Sequence, residues 1–196
     1  MTKLLLASTS PARKRLLIDA GLLFDTVSPG VDEDALVAAL RPQSPQELTL
    51  LLAKAKAEAV AFDGLVLGCD SALFFEGHIY GKPHDPQVAI DRWKRMRGQV
   101  GELFSGHWLV DGETGQSSGR VTSTKVHFAN LTDQQIERYV ATSEPLKVAG
   151  AFTIDGIGGT FVQKIEGDYH TVVGLSLVAL REMCSELGHD YLALWR

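Results

Sequence analysis

The sequence predicts an α/β protein with a mixed sheet, because apolar runs of strand length alternate with helical patterns throughout its 196 residues. The composition supports this class, since hydrophobic residues make up 45% and charged residues 22% of the chain, as in ordinary globular domains. No linker, internal repeat or block of like charges divides the sequence. We therefore expect a single domain over residues 1–196.

The first third of the chain predicts alternating strands and helices. They are strand Lys3–Ala7, helix Ala12–Ala20, strand Phe24–Ser28, helix Ser44–Phe62 and strand Leu65–Cys69. Ser10 is a typical helix N-cap, Pro11 a typical first helical residue and Gly21 a typical stop. The acidic and proline-containing stretch Val31–Ser44 is interpreted as a long functional loop with one helical turn.

The rest of the chain continues the same alternation. The predicted elements are hairpin Ala72–Tyr80, helix Asp85–Arg97, strands Val100–Val110 and Gly119–Phe128, helix Thr132–Thr142, strand Gly158–Ile165 and helix Gly174–Leu187. The hairpin is expected to turn at Glu76-Gly77. In the helix that follows it, the spacing places Ala89, Trp93 and Met96 on the buried face.

Simple sequence features exclude several classes of protein. The apolar runs are far shorter than the ~20 residues of a membrane span, so we expect no membrane partner. The apolar stretch near the start is too short for a secretory signal, so we expect a cytoplasmic protein. A net charge of −5 argues against coating nucleic acid, and two cysteines indicate no disulfide framework.

A candidate anion site lies where the first strand enters the first helix. Ser8 and Ser10 place hydroxyls and backbone N–H groups at the positive end of that helix. Arg13, in its first turns, can offer two parallel hydrogen bonds to a phosphate. The alternative is a capped helix with a solvated basic face.

Carboxylates and lysines elsewhere add further candidates. Asp70 is expected at the carboxyl end of the third strand, where open α/β sheets bind ligands; the alternative is an Asx turn or a helix cap. Glu33, within an acidic trio, could hold a hard cation together with Asp70, unless the trio is only a solvated loop. Lys56 on the long helix and Lys82 in a stiff Gly-Lys-Pro turn are weak candidates when taken singly.

In their order and spacing, these segments resemble the Maf family of nucleoside triphosphate pyrophosphatases. The motifs that carry the resemblance are Leu6–Arg13, Val31–Glu33, Lys56-Ala57, Gly68–Ser71, Gly81–Pro83, Thr124–Phe128, Glu144-Pro145, Ala149–Phe152 and Gly167–Leu177. Each motif is modestly specific, but their shared order along nearly the whole chain is a strong signal.

The resemblance implies an inosine-triphosphatase-like (Maf/Ham1) fold, an elongated mixed sheet flanked by helices with a central cleft. The implied activity is hydrolysis of ordinary or modified nucleoside triphosphates to the monophosphate and pyrophosphate, with Mg²⁺ or Mn²⁺ as cofactor. The implied roles are the cleaning of nucleotide pools and cell-division arrest, and the resemblance also allows a homodimer. The competing hypotheses are a non-catalytic nucleotide-sensing or septum-associated module, and a broad phosphohydrolase that releases inorganic phosphate.

The resemblance also assigns roles to residues. Asp70 matches the proton acceptor, and the resemblance places it with Glu33 at the metal and water site; both the base and the metal-ligand role stay open for Asp70. The positions that match phosphate contacts are Ser8, Ser10, Arg13, Lys56 and Lys82. Positive groups around the phosphates are expected to supply the larger, electrostatic share of catalysis.

Base selection is where the sequence departs from its relatives. Ala12, Ser71 and Asp155 stand at positions linked with base choice, in place of a common arginine, threonine and glutamine. Ala12 donates no hydrogen bond and an ionised Asp155 only accepts them. We therefore expect a broader or shifted specificity rather than a strict thymidine and uridine preference.

Overall fold

The computed structural model describes residues 3–196, so Met1 and Thr2 of the predicted domain lie outside it. The strands of the described part are β1 (Leu4–Ala7), β2 (Asp25–Val27), β3 (Leu65–Phe75), β4 (His78–Tyr80), β5 (Val100–Asp111), β6 (Ser117–Phe128) and β7 (Val162–Glu166). The helices are α1 (Pro11–Asp19), α2 (Glu33–Leu40), α3 (Pro45–Glu58), α4 (Pro86–Met96), α5 (Asp133–Ala141), α6 (Tyr169–Val173) and α7 (Leu177–Glu186).

The strands form one mixed sheet in the order β2-β1-β3-β5-β6-β7, with β4 paired to β3. β1 runs parallel to both β2 and β3, whereas β3 with β4 and β6 with β7 are antiparallel. The predicted α/β class with a mixed sheet is confirmed. No helix within residues 3–196 has the length and apolar character needed to span a membrane.

The chain divides into two compact units. The first unit contains residues 3–70, Ser105–Thr122 and Gly174–Arg196, and the second contains Ser71–Phe104 and Ser123–Val173. Strands β3, β5 and β6 contribute residues to both units. The single-domain organisation expected for residues 1–196 stays a prediction.

The first unit is built on the apolar strands β1 and β3, whose residues are buried on both faces as in a parallel sheet. Helix α3 packs closely against β3 at Gly68, where an added Cβ would lie 2.1 Å from the carbonyl oxygen of Ala53. At Gly106 on β5 an added Cβ would lie 2.3 Å from the carbonyl oxygen of Thr49. Two glycines therefore let one helix lie directly on two strands.

The second unit has an aromatic core centred on Trp93 of α4. The Trp93 ring makes edge-to-face contacts with Phe128, Tyr139 and Phe161, and its indole N–H donates to the carbonyl of Ala151 at 2.7 Å. The burial predicted for Trp93 and its neighbours on the same helix face is confirmed. Burial of such large rings dominates the packing energy of a small core.

The structure corrects the predicted loop over Val31–Ser44, because it contains helix α2. The side chain of Asp32 accepts the backbone N–H of Ala35 at 2.9 Å, as an N-cap does. Glu33 and Asp34 then occupy the first turn, where acidic residues stabilise a helix. The acidic trio is therefore a helix start rather than a loop.

The third strand is longer than predicted. It continues from Leu65 through Asp70 to Phe75, and its last residues pair with β4 across the predicted turn at Glu76-Gly77. Asp70 therefore lies within the strand and not at its carboxyl end. The neighbouring β1 does end there, because its last register partner on β3 is Gly68.

Two element boundaries near the end of the chain also differ from the prediction. Residues Ile157–Phe161 form a 3₁₀ helix, so the predicted strand Gly158–Ile165 starts only at Val162. The closing helix begins at Leu177, since Gly174 has a φ of 115° that a helix cannot adopt.

Candidate functional site

The predicted anion site forms where β1 enters α1. Ser10 is the N-cap, and its Oγ accepts the backbone N–H of Arg13 at 3.4 Å. Ser8 Oγ accepts the backbone N–H of Ser10 at 3.2 Å and Arg13 Nη1 at 3.3 Å. Both hydroxyls thus line the positive end of a helix whose Pro11 lacks an N–H group.

Arg13 does not belong to a solvated helix face. Arg13 is only 8% exposed, whereas the next two residues, Lys14 and Arg15, are exposed. Arg13 Nε donates to the carbonyl of Gly174 at 2.8 Å, which fixes the plane of the guanidinium. A buried arginine with a fixed plane is typical of anion recognition, so the alternative of a solvated basic face does not hold for this residue.

Lys56 joins the two predicted carboxylates. Its Nζ lies 2.7 Å from Asp70 Oδ1 and 2.9 Å from Glu33 Oε1. The side chains of Lys56 and Asp70 are 8% and 14% exposed, whereas that of Glu33 is 43% exposed. The close packing of α3 on β3 at Gly68 brings the ammonium group to Asp70, and the start of α2 brings Glu33.

The environment shifts the acidity of Asp70. Burial raises its pKa, Lys56 and Arg13 lower it in part, and Glu33 raises it further, so that it stays above its ordinary value. The adjacent Cys69 is fully buried, and burial raises the pKa of its thiol to about 11. Asp70 is therefore a stronger base than an ordinary aspartate, while the thiol stays protonated near neutral pH.

Asp70 and Glu33 are also the side chains that could hold a divalent metal ion at this site. The oxygens of Asp70 and Glu33 converge on a single positive charge, and carboxylate oxygens are ligands that Mg²⁺ and Mn²⁺ prefer. Across residues 3–196, no group of three or more His, Cys, Asp or Glu side chains is arranged as a metal site. The pair thus fits an ion that takes its remaining ligands from water or phosphate oxygens.

The sequence also matches the model of a known protein family. The model of the family described as Maf-like protein matches residues 3–187. The chain belongs to the Maf family.

Curated relatives within the Maf family align over nearly the whole chain. The nucleoside triphosphate pyrophosphatase of Salinispora tropica is 54% identical over 98% of this chain and 87% of its own length. That of Leifsonia xyli is 48% identical, covering 98% and 96%. Among solved structures, a Ham1 protein of Staphylococcus aureus has a TM-score of 0.44 at 11% identity, covering 95% of this chain and all of that one.

The remaining predicted site residues of this Maf chain belong to the second unit. Lys82 is exposed in a turn whose Gly81 carbonyl accepts Arg92 Nη1 at 2.6 Å and the backbone N–H of Gly150 at 3.3 Å. The Arg92 guanidinium also packs over the Tyr80 ring at 4.7 Å. Arg92 thus fixes the turn that contains Lys82.

Asp155 also lies in the second unit, in a loop braced by Glu144. Glu144 Oε1 accepts from Thr153 Oγ1 at 2.6 Å and the Gly158 N–H at 2.9 Å, and its Oε2 accepts the Ile157 N–H at 2.9 Å. Asp155 itself is exposed in this loop, yet partial burial of its carboxyl and the nearby Glu144 raise its pKa. Sequence reasoning found Glu144 only as part of a motif and gave it no role.

The predicted site residues are therefore divided between the units. The first unit brings together Arg13, Lys56 and Asp70, with Ser8, Ser10 and Glu33 around them, and it also contains Ala12. Ser71, Lys82 and Asp155 belong to the second unit. Ser71 follows Asp70 directly on β3, and consecutive strand residues point to opposite faces of a sheet.

Proposed function

We propose that this chain is a nucleoside triphosphate pyrophosphatase, which hydrolyses its substrate to the nucleoside monophosphate and pyrophosphate. The observation that carries the proposal is the cluster in which the buried Lys56 lies between Asp70 and the partly exposed Glu33, with Arg13 nearby. The names of the curated relatives support the substrate class and the reaction. The role that follows is the removal of unwanted nucleotides from the cytoplasmic pool.

The cations of the first unit are proposed to bind the phosphate groups. Arg13 is already oriented by Gly174 and Ser8, so it offers a fixed arrangement of donors to a phosphate at the start of α1. Lys56 supplies a second, buried positive charge. Preoriented charges of this kind stabilise the negative charge that develops on the leaving pyrophosphate. The predicted phosphate contact of Lys82 stays a prediction.

Asp70 is proposed to activate water. Water attacks the α-phosphorus, the bond from that phosphorus to the bridging oxygen breaks with its electron pair leaving on pyrophosphate, and the proton of the water passes to the Asp70 carboxylate. A raised pKa makes this carboxylate a stronger base than an ordinary aspartate. Positioned bases of this type contribute about 10²–10⁴-fold to a rate.

Asp70 and Glu33 are also proposed to hold a divalent cation, Mg²⁺ or Mn²⁺. Their oxygens already share one positive charge, that of Lys56. When bound, the ion neutralises charge on the phosphate groups. Whether Asp70 acts as base, as ligand or as both is decided by the metal dependence of its variants.

Product analysis tests the proposed function. The full-length protein is incubated with a panel of ordinary and modified nucleoside triphosphates and either Mg²⁺ or Mn²⁺, and the products are separated by ion-exchange chromatography. The proposal expects the monophosphate and pyrophosphate in equal amounts. Release of inorganic phosphate favours a broad phosphohydrolase, and absence of turnover with retained binding favours a non-catalytic nucleotide-sensing module.

A further inference from the structure

His107 on β5 is a fully buried histidine of the first unit that is absent from the predicted site. Its Nε2 accepts the backbone N–H of Ser176 at 2.8 Å. Because Nε2 accepts, the ring proton lies on Nδ1, which faces the carbonyl of Arg120 at 3.3 Å. The neutral ring is thus held from both sides and fixes the position of Ser176.

Ser176 is two residues from the group that orients Arg13. The carbonyl of Gly174 accepts Arg13 Nε at 2.8 Å, and Leu175 between the two is fully buried. Ser176 also caps α7, since its Oγ accepts the backbone N–H of Ala179 at 3.2 Å. The segment Gly174–Ser176 is therefore a short brace, tied to His107 at one end and to Arg13 at the other.

The backbone conformation of Gly174–Ser176 depends on the hydrogen bond between Ser176 and His107. Gly174 has a φ of 115°, which residues with a side chain rarely adopt, so its carbonyl direction is set by an unusual conformation. Without His107, the buried N–H of Ser176 loses its acceptor and the segment must shift to pair it. The Gly174 carbonyl moves with the segment, and Arg13 loses the anchor that fixes its plane.

We propose that His107 is a positioning residue for the reaction, which acts by holding Gly174–Ser176 where the Gly174 carbonyl orients Arg13. The inference rests on the proposed function, because it requires Arg13 to bind the phosphates. It adds a residue that contacts no substrate but sets the geometry of one that does. A misplacement of about 1 Å can lower a rate by about 10²-fold.

The test compares two substitutions that differ in one hydrogen-bond acceptor. His107→Leu removes the acceptor, and we expect kcat/KM for a nucleoside triphosphate to fall about tenfold or more. Most of this loss should lie in kcat, because Arg13 is proposed to stabilise charge that develops in the transition state. His107→Gln can present an amide oxygen to Ser176, so kcat/KM should stay within about threefold of wild type. His189→Leu is the matched control: this histidine of the same unit bonds Asp111 at 3.1 Å, and its loss should lower Tm but not kcat/KM.

A double-mutant cycle separates positioning from a general loss of structure. If His107 acts through Arg13, His107→Leu in the Arg13→Ala background should lower kcat/KM by no more than about twofold beyond Arg13→Ala alone. Losses that multiply, or a wild-type kcat/KM in His107→Leu, would overturn the proposal. Wild-type activity of Arg13→Ala would instead overturn the phosphate role of Arg13 itself.

A second substitution covers the case in which the leucine variant does not fold. His107→Asn stays polar but is too short to reach the N–H of Ser176, so it should lose kcat/KM while His107→Gln keeps it. Equal kcat/KM values for the asparagine and glutamine variants would also overturn the positioning role.

Discussion

Two carboxylates, one in each unit, are both partly or largely buried, but their acidity shifts in opposite directions. Asp70 in the first unit has a raised pKa, because burial outweighs the stabilising charges of Lys56 and Arg13. Glu144 in the second unit has a lowered pKa: burial raises it, but hydrogen bonds from Thr153, two backbone N–H groups and a tyrosine hydroxyl outweigh that effect. The Asp70 carboxylate is thus more basic than usual, whereas the hydrogen bonds that Glu144 accepts stabilise its ionised form.

This difference indicates which carboxylate is available for chemistry. A carboxylate whose oxygens accept several fixed donors is stabilised as an anion and resists protonation, which suits a structural brace. A carboxylate whose burial outweighs the charges that stabilise its anion accepts a proton more readily, which suits a base. Asp70 therefore suits catalysis, and Glu144 suits the bracing of its loop.

The largest expected effect is on turnover. Asp70→Asn keeps the shape of the side chain but removes its charge and basicity, so we expect kcat to fall by about 10²–10⁴-fold. Nucleotide binding, measured by calorimetry without turnover, should survive. An activity within about tenfold of wild type would contradict the assignment of Asp70 as base.

The next effect concerns two lysines on the same helix. Lys56→Ala leaves Asp70 and Glu33 without their shared cation, so we expect kcat/KM to fall at least about tenfold. Lys54→Ala is the control, because the exposed Lys54 packs over the Trp108 ring and touches neither carboxylate. Steady-state kinetics of both variants checks this, and equal losses would remove Lys56 from the site.

A smaller effect is expected on stability in the second unit. Glu144→Gln replaces an acceptor oxygen by an NH₂ group, so either the exposed N–H of Ile157 or the partly buried N–H of Gly158 loses its acceptor. The free energy of unfolding should fall by about 0.5–1.5 kcal/mol, the net contribution of a typical hydrogen bond. Urea denaturation measures this loss; a stability equal to that of the wild type would show that the loop does not depend on Glu144.

The smallest effect is a pH dependence of opposite sign for the two carboxylates. The raised pKa of Asp70 means that its contribution to stability is greatest at low pH and is lost as pH rises through that pKa. The lowered pKa of Glu144 means that its contribution is present above its ordinary pKa and is lost as pH falls through the lowered value.

Melting curves of the variants separate these two contributions. The Tm of Asp70→Asn minus that of the wild type should be more positive at about pH 7 than at about pH 4. For Glu144→Gln, the loss in Tm relative to the wild type should be larger at about pH 7 than at about pH 4. A Tm difference that does not change with pH in either variant would contradict the corresponding pKa shift.

Local signals in the sequence were sufficient for most helix starts. Ser10 was predicted as a cap, and its side chain accepts a backbone N–H of its own helix. Asp85 and Thr132, the first residues of two predicted helices, do the same. The same chemistry was present at Asp32, but the prolines and charges around it favoured a loop. A helix start can therefore be predicted where the cap is followed by a clear stripe of buried apolar residues. Helix α2 offers no such signal, because none of its residues is buried.

Long-range partners explain what the sequence did not reveal. Asp70 resembled a strand end because an acidic residue rarely continues a buried strand, and the strand continues because Lys56, on a separate helix, neutralises it. Similarly, no local pattern links Arg13 with Gly174 or His107 with Ser176, which meet only in the folded first unit. The candidate residues were predictable from motifs, whereas their connections were not.

The position of bond cleavage tests the central claim most directly. The protein is allowed to turn over a nucleoside triphosphate in ¹⁸O-labelled water, and mass spectrometry locates the label in the products. Attack on the α-phosphorus predicts one labelled oxygen in the monophosphate and none in the pyrophosphate. Label in pyrophosphate, or in inorganic phosphate, would contradict the account.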